Sequence, residues 1–234
     1  MRIAKPLLTF GILLGFSASL TAQDIKNIAI TNFNGLTVSN GIDVSINQSN
    51  TESIKVSAHP DLLKNVIVDK EGSILSIRYK DNASWSRFIK GQGIKVYVNC
   101  KTLQSITASG GSDILAENNI KTDRLSITAS GGSDIDLNVN TKELKIVSSG
   151  GSDIDLKGMA TNLSVTSTGG SDIDALELRV EYAKVTSSGG SDVNIYVTKA
   201  LEANATGGSD IQYKGDASVR KTSSNKSGDV RKIQ

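Results

Sequence analysis

Six copies of Gly-Gly-Ser-Asp, about twenty residues apart, begin at Gly110, Gly131, Gly150, Gly169, Gly189 and Gly207. A degraded copy, Ser227-Gly228-Asp229-Val230, keeps the interval. A period of this size marks a solenoid, in which each unit can bury its apolar face only against its neighbours. Such a stack makes a long ordered surface more naturally than a single reaction centre.

Aligning the copies on the first glycine shows what each rung contributes. Four residues before it stand Ile106, Ile127, Ile146, Val165, Val185 and Ala203, and two before it a small residue, alanine or serine. Four residues after it stand Ile114, Ile135, Ile154, Ile173, Val193 and Ile211, followed two further on by Ala116, Leu137, Leu156, Ala175, Ile195 and Tyr213. The period within each segment is two, so these are strands with inward apolar columns. The glycine pair falls between two strands of one rung, where a sharp corner needs backbone angles that glycine adopts cheaply. Rungs stacked at roughly 4.8 Å put the six copies over about 24 Å of parallel sheet. These features predict an all-β chain, a right-handed parallel β-helix, the hand expected of parallel crossovers. Aromatic residues make up only 4% of the chain, which suits a thin core of stacked Ile, Val and Ala.

Residues 1–22 read as a signal peptide: Arg2 and Lys5 form a basic start, Leu7 to Leu20 an apolar stretch, and Ser19-Leu20-Thr21-Ala22 a small-residue cleavage site. The apolar stretch is short for a membrane anchor. No cysteine follows it, so a lipid attachment site is not expected. Removing the leader takes two of the 26 basic residues and none of the 24 acids, which leaves a neutral chain of 24 against 24 with no electrostatic reason to seek nucleic acid. Cys100 is the only cysteine, so no internal disulfide can form, and it reads as a small hydrophobe at a strand end.

Residues 23–100 lack the repeat. Strands are expected at Leu36-Ser39, Ile42-Asn47, Ser53-Ala58, Asn65-Val68, Ile74-Tyr79 and Ile94-Asn99, with a helical turn over His59-Pro60-Asp61-Leu62-Leu63. This region is expected to be a β-rich cap or first coils on the 101–234 repeat, since an open solenoid end exposes strand edges. The other end, Val219 to Gln234, carries Arg220, Lys221, Lys226, Arg231 and Lys232, which discourage edge-to-edge pairing.

The segment Val38-Ser39-Asn40-Gly41-Ile42-Asp43-Val44-Ser45-Ile46, then Ile54-Lys55-Val56, Asp61-Leu62-Leu63 and Leu75-Ser76-Ile77, resembles the opening of the putative autotransporter adhesin, head GIN domain family. With the Gly-Ser-Asp turns downstream, the resemblance covers nearly all of the chain beyond the leader. It implies an exported bacterial β-helical protein and supplies no catalytic residues to carry over. Many members of that family carry a lipoprotein cysteine, which this chain lacks.

Three features could carry chemistry. The first is the aspartate column Asp113, Asp134, Asp153, Asp172, Asp192 and Asp210, doubled by Asp136, Asp155 and Asp174. Carboxylates about 4.8 Å apart repel by roughly 1 kcal/mol in water and about 3–4 kcal/mol at an effective dielectric near 20. Calcium between rungs could offset that. The preferred reading is structural: a turn ladder in which each aspartate caps backbone N–H groups of its own glycine corner, with no metal. The second is a hydroxyl-rich face, Ser105, Thr107, Ser109, Ser126, Thr128, Ser130, Ser164, Thr166 and Thr168. It could order water as ice-binding solenoids do, but Lys145, Val147, Lys184 and Glu202 interrupt it, and Ser and Thr are ordinary on exposed strands. The third is the segment from Asp81 to Gly93, with Trp85, Arg87 and Phe88 as candidate partner-binding anchors or as a hydrophobic plug over an open end.

Enzyme signatures are poor. His59 is the sole histidine, which excludes His-based triads and multi-histidine metal sites. Ser223-Ser224-Asn225-Lys226 has a Ser-x-x-Lys spacing without its partner motifs. A polysaccharide lyase or hydrolase would need only carboxylates, or a basic group with calcium, but its cleft calls for long loops, and these rungs vary only from 18 to 21 residues. The expectation is an exported, non-enzymatic solenoid without a cofactor. It would act as a cell-envelope or surface interaction module toward a cell-surface protein or glycan.

Overall fold

A computed structural model describes residues 24–80, 93–222 and 227–234. The leader, the segment holding Trp85, Arg87 and Phe88, and Ser223 to Lys226 lie outside the described residues. Strands β1 (Asp24–Ile28), β2 (Gly35–Ser39), β3 (Ile42–Gln48) and β4 (Ser53–Ala58) precede the one-turn helix α1 (Pro60–Leu63). Then come β5 (Val66–Glu71), β6 (Ile74–Tyr79), β7 (Ile94–Cys100), β8 (Ser105–Ser109), β9 (Asp113–Ala116) and β10 (Ile120–Ser130). The longest strands follow: β11 (Asp134–Gly150), β12 (Asp153–Gly169), β13 (Asp172–Gly189) and β14 (Asp192–Thr206). The chain closes with β15 (Asp210–Lys214), β16 (Ser218–Lys221) and β17 (Asp229–Lys232). The architecture is a β-solenoid of about 7 turns with ~19-residue rungs.

The repeats stack in register. Ile135 lies opposite Ile154, which lies opposite Ile173 and then Val193 and Ile211, and every one of these side chains is buried. On the strand before the glycines, Ile106, Ile127, Ile146, Val165, Val185 and Ala203 form the facing column. Identical β-branched residues stacked at strand spacing fill a thin core without aromatic bulk. Gly150, Gly169 and Gly189 pair with one another, so the glycines run as one longitudinal edge. The rung from Gly169 to Gly189 spans 20 residues, against 19 before it and 18 after. The mismatch is absorbed as register shifts, after Asp155 in β12 and after Ala175 and Val180 in β13.

The non-repeating region enters the same sheet out of chain order. β2 pairs in parallel with β6 on one side and β8 on the other, and β3 likewise with β7 and β9. The rung made of β2 and β3 is therefore wedged between a later rung, β6 and β7, and the first glycine repeat. Beyond β6 and β7 the pairing turns antiparallel: β5 closes on β6, β4 on β7 and β1 on β4. These antiparallel strands close off the end of the parallel stack, as solenoid ends require. Helix α1 forms where expected, with Pro60 at its start and the His59 ring nitrogen accepting the Asp61 N–H at 3.3 Å.

Candidate functional site

The glycine corners come in two forms, and one side chain decides between them. Where alanine stands two residues before the pair, both glycines are left-handed: φ is 64° and 72° at Gly110 and Gly111, 65° and 73° at Gly131 and Gly132, 67° and 84° at Gly207 and Gly208. Where serine stands there, only Gly150, Gly169 and Gly189 are left-handed. In these corners the serine hydroxyl meets the serine of the motif itself: Ser148 with Ser152 at 2.8 Å, Ser167 with Ser171 at 2.8 Å, Ser187 with Ser191 at 2.7 Å. The peptide orientation changes with it. The Gly111 N–H donates forward to the Gly131 carbonyl at 3.1 Å, whereas the Gly170 N–H donates back to the Gly150 carbonyl at 2.8 Å.

The motif serine closes five of the six corners, and at the first Ser112 instead accepts the Gly41 and Ile42 N–H groups of the neighbouring rung. Ser112, Ser133, Ser152, Ser171, Ser191 and Ser209 are all fully buried. Ser133 Oγ accepts the Ser130 N–H at 3.1 Å and donates to the Ala108 carbonyl of the preceding rung at 3.2 Å. Ser152 Oγ donates to the Ser149 carbonyl at 3.1 Å. A hydroxyl both donates and accepts and is small enough to sit inside the corner, whereas a carboxylate there would be a buried charge. Hydrogen bonding at the corner thus falls to the serine, and the aspartate after it faces outward. The sequence reading assigns this role to the charged member of the motif and misses the serine. The signal was a polar residue at an inward position of a period-two strand.

The aspartates form a ladder along the outer face. Asp113, Asp134, Asp153, Asp172, Asp192, Asp210 and Asp229 stand opposite one another across seven strands, and Asp136, Asp155 and Asp174 form a second column. Each backbone N–H from Asp134 onward donates to the motif serine carbonyl of the rung before, at 3.1–3.3 Å. The Asp192 carboxylate also accepts the Asp210 N–H at 3.3 Å. Burial, and then the charges of Asp174, Asp136 and Asp153, push the Asp155 carboxyl above its usual range. Burial and Asp43 do the same to Asp113. Asp43, Lys95, Asp113, Asp134 and Asp153 line a shallow groove of about 390 Å³ on this face. Among the described residues no three His, Cys, Asp or Glu side chains converge closely enough to hold a metal ion.

The face before the glycines carries in-register hydroxyls. Ser39, Ser109, Ser130, Ser149, Thr168, Ser188 and Thr206 form one column. Beside it, Thr37, Thr107, Thr128, Thr166 and Thr186 are broken by Val147, and Lys145, Lys184 and Glu202 stand in the next column. Burial pushes the Cys100 thiol up to about 11, reinforced by Glu52, so it stays a protonated core residue. Among the described residues no helix is long and apolar enough to cross a membrane.

A parallel solenoid with one glycine edge, buried corner serines and an outward acidic ladder defines a repeat scaffold that displays columns of side chains. Residues 32–217 match the family described as putative auto-transporter adhesin, head GIN domain, and the chain belongs to it. Similar crystal structures include a putative adhesin from Bacteroides fragilis, 22% identical with a TM-score of 0.82, covering 91% of this chain and 97% of that one. A putative adhesin from Parabacteroides merdae is 23% identical with a TM-score of 0.71, over 91% and 96%. A putative lipid binding protein from Parabacteroides distasonis is 20% identical with a TM-score of 0.69, over 91% and 97%. At these identities the likeness speaks for the fold. No protein of curated function matches the chain.

Proposed function

We propose that this protein is an exported, non-enzymatic solenoid that serves as an adhesin-like interaction module at the cell envelope, toward a surface protein or glycan. The observation that carries the reading is the continuous parallel pairing from β11 to β14: short register shifts absorb the differences in rung length, and no loop is inserted to build a reaction cleft. Side chains repeat along each face at strand spacing, which suits multivalent contact with a repetitive partner. Family membership and the adhesins of the same fold support it. Export follows from the basic, apolar and small-residue order of the first 22 residues, with cleavage near Ala22 and no lipid attachment. Trp85, Arg87 and Phe88 are proposed as a further contact point on the same scaffold.

Latex particles coated with the purified chain, presented to glycan and matrix-protein surfaces, test this reading. Retention of particles but not of uncoated beads, with the soluble chain competing only weakly, is the expected result. Release of reducing ends or unsaturated uronates from a polysaccharide incubated with the chain would replace it with an enzymatic one.

A further inference from the structure

The repeat departs most from regularity beside Tyr182, where β13 and β14 lose register between Val180 and Tyr182. The outward column through this point runs Arg124, Glu143, Asn162, Tyr182, Ala200 and Ser218. Three long polar side chains lead up to an aromatic ring, and two small residues follow it. The step leaves bare strand next to the ring over about 10 Å, twice the inter-strand spacing. The result is an open groove of about 540 Å³, with Tyr182 45% exposed along it.

The charges in and beside this groove are tied to one another. Lys184 Nζ lies 3.1 Å from Glu202, which also pairs with Arg220. Lys199 Nζ lies 2.6 Å from Glu181 and 5.3 Å from the centre of the Tyr182 ring, which fixes the ring's orientation. Asn162 donates to Glu143 at 2.7 Å. The charged groups that line the groove are thus Lys184, Arg220 and Glu202, and both cations are already engaged by the one carboxylate, in contrast to the acidic ladder on the other face.

We propose that this groove binds a neutral saccharide unit, with its C–H face stacked on Tyr182 and its hydroxyls bonded to the Lys184–Glu202–Arg220 cluster. A fixed aromatic surface beside a few polar groups is how concave sites hold amphipathic ligands. An anionic ligand would have to displace Glu202 from Lys184 and Arg220, and a purely apolar one would strip these ion pairs of water. A shallow, open groove also suits one residue of a longer chain. The inference rests on reading the protein as a surface binding module, and it names the ligand class.

Affinity electrophoresis of the full chain in gels holding laminarin, mannan or alginate tests it. At least one of the two neutral glycans should retard the wild type, and alginate should not. Tyr182→Ala should weaken retardation at least tenfold. Ala200→Trp, which fills the groove from an outward position, should do the same with an unchanged melting temperature, and Tyr97→Ala should behave as wild type. The assignment is overturned if neither neutral glycan retards the chain, if both groove variants bind normally, or if alginate binds best. Coated particles that still adhere after such a failure leave the adhesin reading standing with its contact elsewhere, whereas loss of adhesion as well removes both.

Discussion

The two halves of this molecule bury similar columns of Ile, Leu and Val, yet they reach them differently. From β10 onward, spatial order is chain order, and each rung lies about twenty residues from its neighbour. In the first half, β2 pairs with strands about forty and about seventy residues ahead and β3 with strands about fifty and about seventy ahead, so their rung cannot be completed until the first glycine repeat is made. Local stacking propagates easily, whereas such long-range pairing costs loop-closure entropy before it returns any contact. The first half thus ends the stack with antiparallel strands, and the second extends it rung by rung.

The largest expected effect separates the stack from its cap. Ile135→Asp places an unpaired charge in a core only one residue deep and should unfold the solenoid, a loss of about 4 kcal/mol or more. Ile67→Asp, in the half-buried cap strand β5, should cost roughly 1–2 kcal/mol. Equal costs by denaturant melts would erase the distinction. A glycine pair sharpens it next. A Cβ at Gly158, where φ is 108°, would collide with the Val139 carbonyl oxygen, so Gly158→Ala should cost roughly 3 kcal/mol. At Gly72, in the β5–β6 turn, nothing lies within 4 Å, so Gly72→Ala should cost only the left-handed strain of about 1–2 kcal/mol. Ser152→Ala leaves the buried Ser148 hydroxyl only a long bond to the Ser152 carbonyl and removes the bond to the Ser149 carbonyl, and should cost about 1–2 kcal/mol in a thermal melt.

The smallest effect is a matter of pH, and its sign differs between the halves. Asp155 has its folded pKa raised above the ordinary 3.8, so its ionisation costs stability as pH rises through the folded value. Asp69, hydrogen-bonded to Arg78 at 2.9 Å, has its pKa lowered, so its contribution is present above 3.8 and lost as pH falls through the folded value. At pH 7 Asp155→Asn should raise the melting temperature and Asp69→Asn should lower it, each by no more than about 1 kcal/mol in stability because both groups are solvent-screened. Both differences should vanish well below pH 3.8. Shifts of the same sign at pH 7 would contradict the assignment.

Much of this was legible in the residues. The period placed the glycine corners and the apolar columns, and alternation alone located β4, β6 and the turn at Pro60. The winding order was not legible, because β2, β3, β6 and β7 all show the same period-two pattern and nothing in it says which neighbour each will choose. The corner serines were hidden by the aspartates beside them. The groove at Tyr182 was not legible because it needs the strand pairing that sets Ala200 and Ser218 beside the ring, and the mismatch between 20-residue and 18-residue rungs hides which residues of β13 and β14 stand opposite.

The winding order itself can be read by cross-linking. Thr37 lies directly opposite Thr107 on one side and Ser76 on the other, so Ser76 and Thr107 are two strands apart. Parallel neighbours at about 4.8 Å fall within disulfide reach, and residues two strands apart do not. All three positions face outward, and the buried Cys100 thiol, held up to about 11, should not compete. Under mild oxidation, Thr37→Cys with Thr107→Cys should close an intramolecular disulfide, and Ser76→Cys with Thr107→Cys should remain reduced. Closure of the second pair and not the first would mean that the rungs wind in chain order, and would contradict the wedged first rung on which the account depends.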